Sequence, residues 1–300
     1  MRFIFTFLFL TSVNIGINAQ AYLKAEYIGR SNYKDIDGNK TGGKGDAKVI
    51  SGGVMIPLSM KLNENNRPTA WRIGIGGSYT SFDNKDLPRN LCPSEIMNAQ
   101  VSLMHIRPIR EKLSILATLG VGTYTAHADI SRIGMKNVLG HGGAILIWHL
   151  KDNLDLGGGL AINTSFGYPM AFPAFYFNWR LSGRYKVNVS MMDALEVSAG
   201  MQVHKNIELS VVGEMGGSAA MEKIDGKDMI FSHQYLTYGL RTEFKINKSF
   251  SIPVTVGMSS YRPAYYTERS LKAFFKSMNR EEDPRFSQSF YVSTAIRYTF

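Results

Sequence analysis

Hydrophobic and polar residues alternate along most of this chain. At the C-terminal end Phe290, Val292, Ile296, Tyr298 and Phe300 share one parity, while Tyr291, Ser293, Ala295, Arg297 and Thr299 share the other. The same sorting runs through 235–246, where Leu236, Tyr238, Leu240, Phe244 and Ile246 alternate with Tyr235, Thr237, Gly239, Arg241, Glu243 and Lys245. It recurs in 195–204, 174–181 and 154–163. A two-residue period marks strands with one apolar face. Many segments keep phase long enough to approach the ~9–11 residues that cross an outer membrane, whereas strands of a soluble sandwich average ~5–6. The second face carries Gly, Ser, Thr, Asn and isolated charges, which suits a polar lumen.

The pattern predicts fourteen strands: 21–33, 47–62, 69–82, 96–108, 113–126, 138–150, 153–166, 173–181, 184–191, 194–204, 207–217, 230–246, 250–262 and 288–300. Connections after the even strands are short. After the odd strands most are long, notably 34–46, 83–95, 127–137, 218–229 and 263–287. Short turns on one side and long loops on the other describe a closed antiparallel transmembrane barrel with periplasmic turns and external loops. The hairpin around Met192-Asp193 is the weakest, and without it the barrel would have twelve strands. Pro57, Pro108 and Pro253 fall inside strands near periplasmic turns, where bulges or early strand ends would absorb them. Phase is lost around Met104 to Ile106, which predicts a further bulge.

The N-terminus reads as an address. Met1-Arg2, an apolar run from Phe3 to Ile17 and then Ile17-Asn18-Ala19 form a secretory signal peptide, residues 1–19, leaving 20–300 as one barrel domain. Trp71, Trp148, Trp179, Tyr185, Phe244 and Phe250 all fall near the periplasmic turns, as an interfacial aromatic girdle would.

Composition then narrows the partners. The net charge of +10, from 34 Lys+Arg against 24 Asp+Glu, falls to +9 once Arg2 leaves with the signal. What remains divides between loops, turns and a mixed-sign lumen, so no single basic face for nucleic acid forms. Anionic lipid head groups are the partner it permits. One cysteine, Cys92, rules out an intramolecular disulfide framework.

On Phe290, Val292, Ile296, Tyr298 and the terminal Phe300, the chain resembles Gram-negative outer-membrane β-barrel proteins, of a porin-like kind without assigned activity. The resemblance implies a cell outer membrane location and outer-membrane lipid as surroundings. It also implies recognition of the terminal aromatic strand by the barrel-assembly machinery. Fourteen-stranded fatty-acid transporters are similar in size but carry an N-terminal hatch, which this chain does not show before its first strand.

Candidate chemistry lies in the lumen parity. Arg72, Arg180, Lys186, Glu196, Arg241, Glu243, Lys245 and Arg297 are expected to line it, with Lys24, Glu26, Arg30, Lys61, Asp155 and Glu208. Such charges either set pore selectivity or form an internal network. Paired across neighbouring strands, Arg180, Arg241, Glu243, Lys245 and Arg297 would place the narrow point at the periplasmic end. No catalytic, cofactor or metal residue is assigned: His141 has no neighbouring Ser in a lipase pattern, and the six His lack metal-ligand spacing. Gly42-Gly43-Lys44-Gly45 reads as a flexible external loop, and Glu268 to Asn279 as a short helix capping the barrel. The expected function is a porin-like channel or uptake barrel for small polar solutes. The rival is a plugged structural or surface-interaction barrel, and a lipid-modifying enzyme ranks third.

Overall fold

The computed structural model describes residues 20–88, 90–191 and 195–299. The expected signal peptide and Phe300 lie outside the described residues. The strands, in chain order, are β1 (Gln20–Lys34), β2 (Lys40–Leu62), β3 (Pro68–Lys85), β4 (Glu95–Arg110), β5 (Leu113–Thr125), β6 (Val138–Lys151), β7 (Leu154–Asn163) and β8 (Met170–Leu181). They continue with β9 (Tyr185–Met191), β10 (Leu195–His204), β11 (Ile207–Ile224), β12 (Lys227–Lys245), β13 (Phe250–Ser260), β14 (Arg262–Glu268), β15 (Arg285–Phe286) and β16 (Ser289–Thr299). One helix, α1 (Leu271–Met278), lies between β14 and β15.

These strands form one closed antiparallel sheet of fourteen staves, because β13 with β14 and β15 with β16 each make one broken stave. Closure is the pairing of β1 with β16, from Gln20↔Thr299 to Ile28↔Tyr291. A closed sheet satisfies every backbone group within itself and leaves no edge in lipid. No helix among the described residues is long and apolar enough to cross a membrane. The short β9 pairs with both β8 and β10, so fourteen staves stand and twelve do not. Turns at 63–67, 111–112, 152–153, 182–184, 205–206 and 246–249 share one end with Gln20 and Thr299, here the turn end. The longer connections mark the opposite, loop end.

Two of the expected loops are strand instead. Residues 218–229 continue β11 and β12 as a hairpin whose turn is Asp225-Gly226, with φ of 49° and 79°. Two positive φ values in a two-residue loop match the twist of the flanking strands, and Asp-Gly is the sequence that adopts them. The Gly42–Gly45 segment lies within β2, so it is not a flexible loop. A Cβ at Gly45 would stand 2.7 Å from Asn84 Oδ1 and 2.8 Å from Phe286 Cε1, so glycine here permits close packing.

The prolines divide. Register shifts follow Pro57 and Pro108, as bulges require. At Pro253 the ladder to β12 runs through unshifted, and pairs with β16 lapse only between Ser251 and Val254. No bulge interrupts Met104 to Ile106: β4 keeps register with β3 and β5 there. Met104 and Ile106 point inward and are buried, so phase is lost in hydrophobicity alone. The lumen is not uniformly polar.

The apolar belt lies outside. Leu23, Ile75, Leu119, Leu160, Phe175, Val211 and Leu240 are all exposed on the outer surface of their staves. Inside lie three apolar clusters, two of them large. One, toward the loop end, holds Ile28, Tyr33, Phe82, Cys92, Ile96, Phe231, Tyr235, Phe286 and Tyr291. The other holds Met55, Ala70, Met104, Ile106, Leu116, Ile147 and Tyr176.

Candidate functional site: a partitioned lumen

From the turn end, a cavity of about 640 Å³ enters the barrel. Lys24, Asn188, Ser190, Glu196, Glu214, Glu243, Lys245 and Arg297 contribute to its wall. Near its mouth Lys186 and Lys245 both bond Glu208 Oε2, at 2.5 and 2.8 Å. Glu243 accepts a hydrogen bond from Ser251 Oγ at 2.7 Å.

Deeper in, charges from four strands meet. Arg241 of β12 pairs with Glu214 of β11 and with Glu196 of β10, the latter at 3.5 Å. Lys24 of β1 bridges Glu26 and Glu214 at 3.0 and 3.1 Å. Four steps around the sheet separate β1 from β11, so this ion pair crosses part of the lumen. Glu26 in turn accepts from Tyr291 Oη at 2.6 Å and Tyr235 Oη at 3.3 Å. The carboxylate joins the ionic layer to the apolar cluster above it.

Above that layer, β11 touches the far wall. Asn98 Nδ2 of β4 donates to Ala219 O at 2.7 Å, and Ala219 N donates to Asn98 Oδ1 at 3.4 Å. Thr80 Oγ1 of β3 donates to Ser218 Oγ at 3.4 Å, and Asn137 Nδ2 to Met221 O at 2.9 Å. Met221 even forms a parallel bridge with Thr125 of β5. The run Gly216-Gly217-Ser218-Ala219-Ala220 makes this approach feasible, because small side chains let two backbones come close. Here one wall of the barrel meets the opposite one.

The loop end is densely packed. Arg262, fully buried, donates from Nε to His233 Nε2 at 3.2 Å and from NH1 to Gly45 O at 3.4 Å. Its guanidinium lies 4.3 Å from the centroid of the Phe286 ring. Helix α1 starts at an N-cap, Ser270, whose hydroxyl accepts from Ala273 N. Arg269, just before it, donates to Ser165 O, Thr164 O and Lys136 O, and Phe274 packs on Phe166 and Phe172. These contacts carry the segment from β14 across to the β7–β8 side, so the expected capping helix is present.

The expected lumen residues therefore separate. Glu196, Arg241, Lys186 and Lys245 are brought into ion pairs, and Arg297 lines the cavity. Arg180 lies exposed at the turn end of β8. Arg72 is buried apart from the others, with NH1 and NH2 meeting no acceptor. The turn end holds a cavity, and the ionic layer and the β11 contact lie deeper. Phe290, Ile296 and Tyr298 face outward and exposed, and Val292 half-buried beside them. Trp71, Trp148, Tyr185 and Phe244 are exposed, and Trp179 and Phe250 half-buried, all at the turn end.

A family model described as "Domain of unknown function (DUF6268)" matches residues 15–299. The chain belongs to this family. No curated protein matches it. Among solved structures, this DUF6268 barrel is similar to the COG4313 outer membrane channel from Pseudomonas putida F1, with 10% identity over 96% of this chain and 97% of that one, at a TM-score of 0.44. It is similar also to a bacterial polysaccharide outer membrane secretin, with 14% identity over 94% and 98% at 0.41. The translocator domain of autotransporter NalP from Neisseria meningitidis matches with 12% identity over 95% and 89% at 0.36.

Several residues of the DUF6268 lumen escaped the sequence reading. Glu214 and Asn98 each sit at an inward position that alternation identifies, but partners on distant strands leave no local signal. Asp155 was expected in the lumen, but its convergence with Ser114 and His149 from three successive strands was not: Ser114 Oγ lies 2.8 Å from His149 Nε2, and His149 Nδ1 lies 2.6 Å from Asp155 Oδ1.

Proposed function

We propose that this is an outer-membrane, porin-like barrel whose pathway for small polar solutes is held closed, with the turn end periplasmic. The supporting observation is the nature of the closure. The cavity of about 640 Å³ ends on side-chain ion pairs and on a strand segment that belongs to the wall, rather than on a separate domain. The β11–β12 ladder is continuous through that segment, from Ile207↔Phe244 to Ile224↔Lys227. Residues 218–221 can thus withdraw to the wall while keeping their ladder to β12, giving up only the Met221–Thr125 bridge. Mixed charge around the cavity suits small polar or zwitterionic solutes and disfavours apolar ones. The exposed belt, the turn-end aromatics and the outward Phe290, Ile296 and Tyr298 support outer-membrane lipid as surroundings and the barrel-assembly machinery as a partner in biogenesis.

Planar-bilayer recording tests this reading. Folded wild-type protein should show rare openings, and Asn98→Ala with Asn137→Ala should raise open probability at least tenfold. Silence from both proteins, each shown folded by heat-modifiable gel mobility, would establish the buried apolar cluster as a permanent plug and the barrel as a structural or interaction protein.

A further inference from the structure

The hydrogen-bonded chain Ser114–His149–Asp155 stands at the turn end of the lumen, on β5, β6 and β7. Its geometry is that of a nucleophile, a base and an orienting carboxylate. Nδ1–H donates to the Asp155 carboxylate, which leaves the Nε2 lone pair to accept from the Ser114 hydroxyl. That is the tautomer a serine nucleophile requires. Local structure aims the parts: a bulge after His149 in the pairing with β7, and another after Pro108, the strand partner of Ser114. His149 N also donates to Lys112 O at 2.9 Å, which fixes the backbone beside the ring.

The surroundings add what a bare hydrogen-bond network would not need. Ile147, the strand partner of Ser114, packs with Leu116, Ile106, Met104 and Tyr176 as an apolar wall. Arg72, paired with Met104 of that wall, buries two guanidinium nitrogens with no acceptor. A buried cation without an acceptor is costly, and arriving negative charge relieves it. Ser114 itself is covered, 2% exposed, while the His149 and Asp155 side chains keep 10% and 13%, so the edge facing solvent is theirs.

We propose that Ser114, His149 and Asp155 form an esterase site for small esters with a short, uncharged acyl group. Ser114 Oγ bonds to the carbonyl carbon as its proton passes to His149 Nε2. The C–O bond to the leaving alcohol breaks and His149 returns that proton to the alcohol oxygen. Water then adds to the acyl-serine, losing a proton to Nε2. The Oγ–acyl bond breaks, Oγ recovers the proton, and the carboxylic acid leaves. The site does not depend on the channel reading.

The test uses the full folded chain in detergent with a small alkyl fluorophosphonate and with p-nitrophenyl acetate. Mass spectrometry should find the phosphonyl group on the peptide carrying Ser114, and Ser114→Ala and His149→Ala should abolish it. Asp155→Asn should slow ester hydrolysis about 10⁴-fold, the loss typical when the orienting carboxylate goes. Heat-modifiable mobility confirms folding of each variant, and if Ser114→Ala fails to fold, the labelled peptide of the wild type decides. Folded wild-type protein that takes no label and hydrolyses the ester at the buffer rate would overturn the proposal, as would labelling unchanged in His149→Ala.

Discussion

Asn98 on β4 and Ala219 on β11 exchange two hydrogen bonds across the inside of the barrel. The side-chain amide takes the place of a neighbouring strand, satisfying one backbone N–H and one C=O that the inward bend of β11 brings into a dry interior. Asn98→Leu leaves both groups buried and unpaired, at about 1–3 kcal/mol each. Hydrogen exchange at Ser218–Met221 should accelerate in that variant, while exchange at Ser210–Glu214 stays slow.

The ionic layer carries a second prediction. Glu214 pairs with Arg241 and Lys24, all largely shielded, whereas Glu208 with Lys186 and Lys245 lies nearer water. Glu214→Gln strips one carboxylate from two cations and should cost about 3–5 kcal/mol, as breaking a buried pair does. Glu208→Gln should cost no more than about 1 kcal/mol, since exposed pairs contribute little. Urea unfolding from liposomes measures both.

Leu119, in the middle of β5, is 70% exposed on the outer face. Against lipid, Leu119→Arg should destabilise the barrel by about 2–4 kcal/mol, the cost of arginine at the bilayer midplane. Liposome unfolding should show that loss, and detergent micelles a smaller one.

Cys92 tests the loop-end cap. It is buried in the connection between β3 and β4, and desolvation pushes its thiol up to about 12. The neutral thiol is a poor nucleophile. Alkylation at pH 8 should therefore be slow in folded protein and fast in denaturant.

Alternation made most of the barrel legible, because one face of every stave meets lipid. Leu240 and Phe244 expose that rule directly. It failed where the second face was also apolar, as at Met104 and Ile106, and where small residues replaced alternation, as at Gly216 to Ala220. Asp225-Gly226 did carry a local signal for a tight hairpin, and a loop reading based on length alone passed over it. The site was less legible. Arg241 and Glu196 were identified by parity, but their shared partner Glu214 was not. Ser114, His149 and Asp155 lie on separate strands, so only strand register could bring them together.

The proposed closure of the lumen rests on β11 touching the opposite wall. Thr80 Oγ1 and Ser218 Oγ lie 3.4 Å apart there. A Thr80→Cys, Ser218→Cys pair in a Cys92→Ser chain tests it by oxidation of the folded barrel. The structure predicts rapid and near-complete disulfide formation, read as a mobility shift that reductant reverses. A folded barrel that stays reduced under the same oxidant would show that the two walls do not meet.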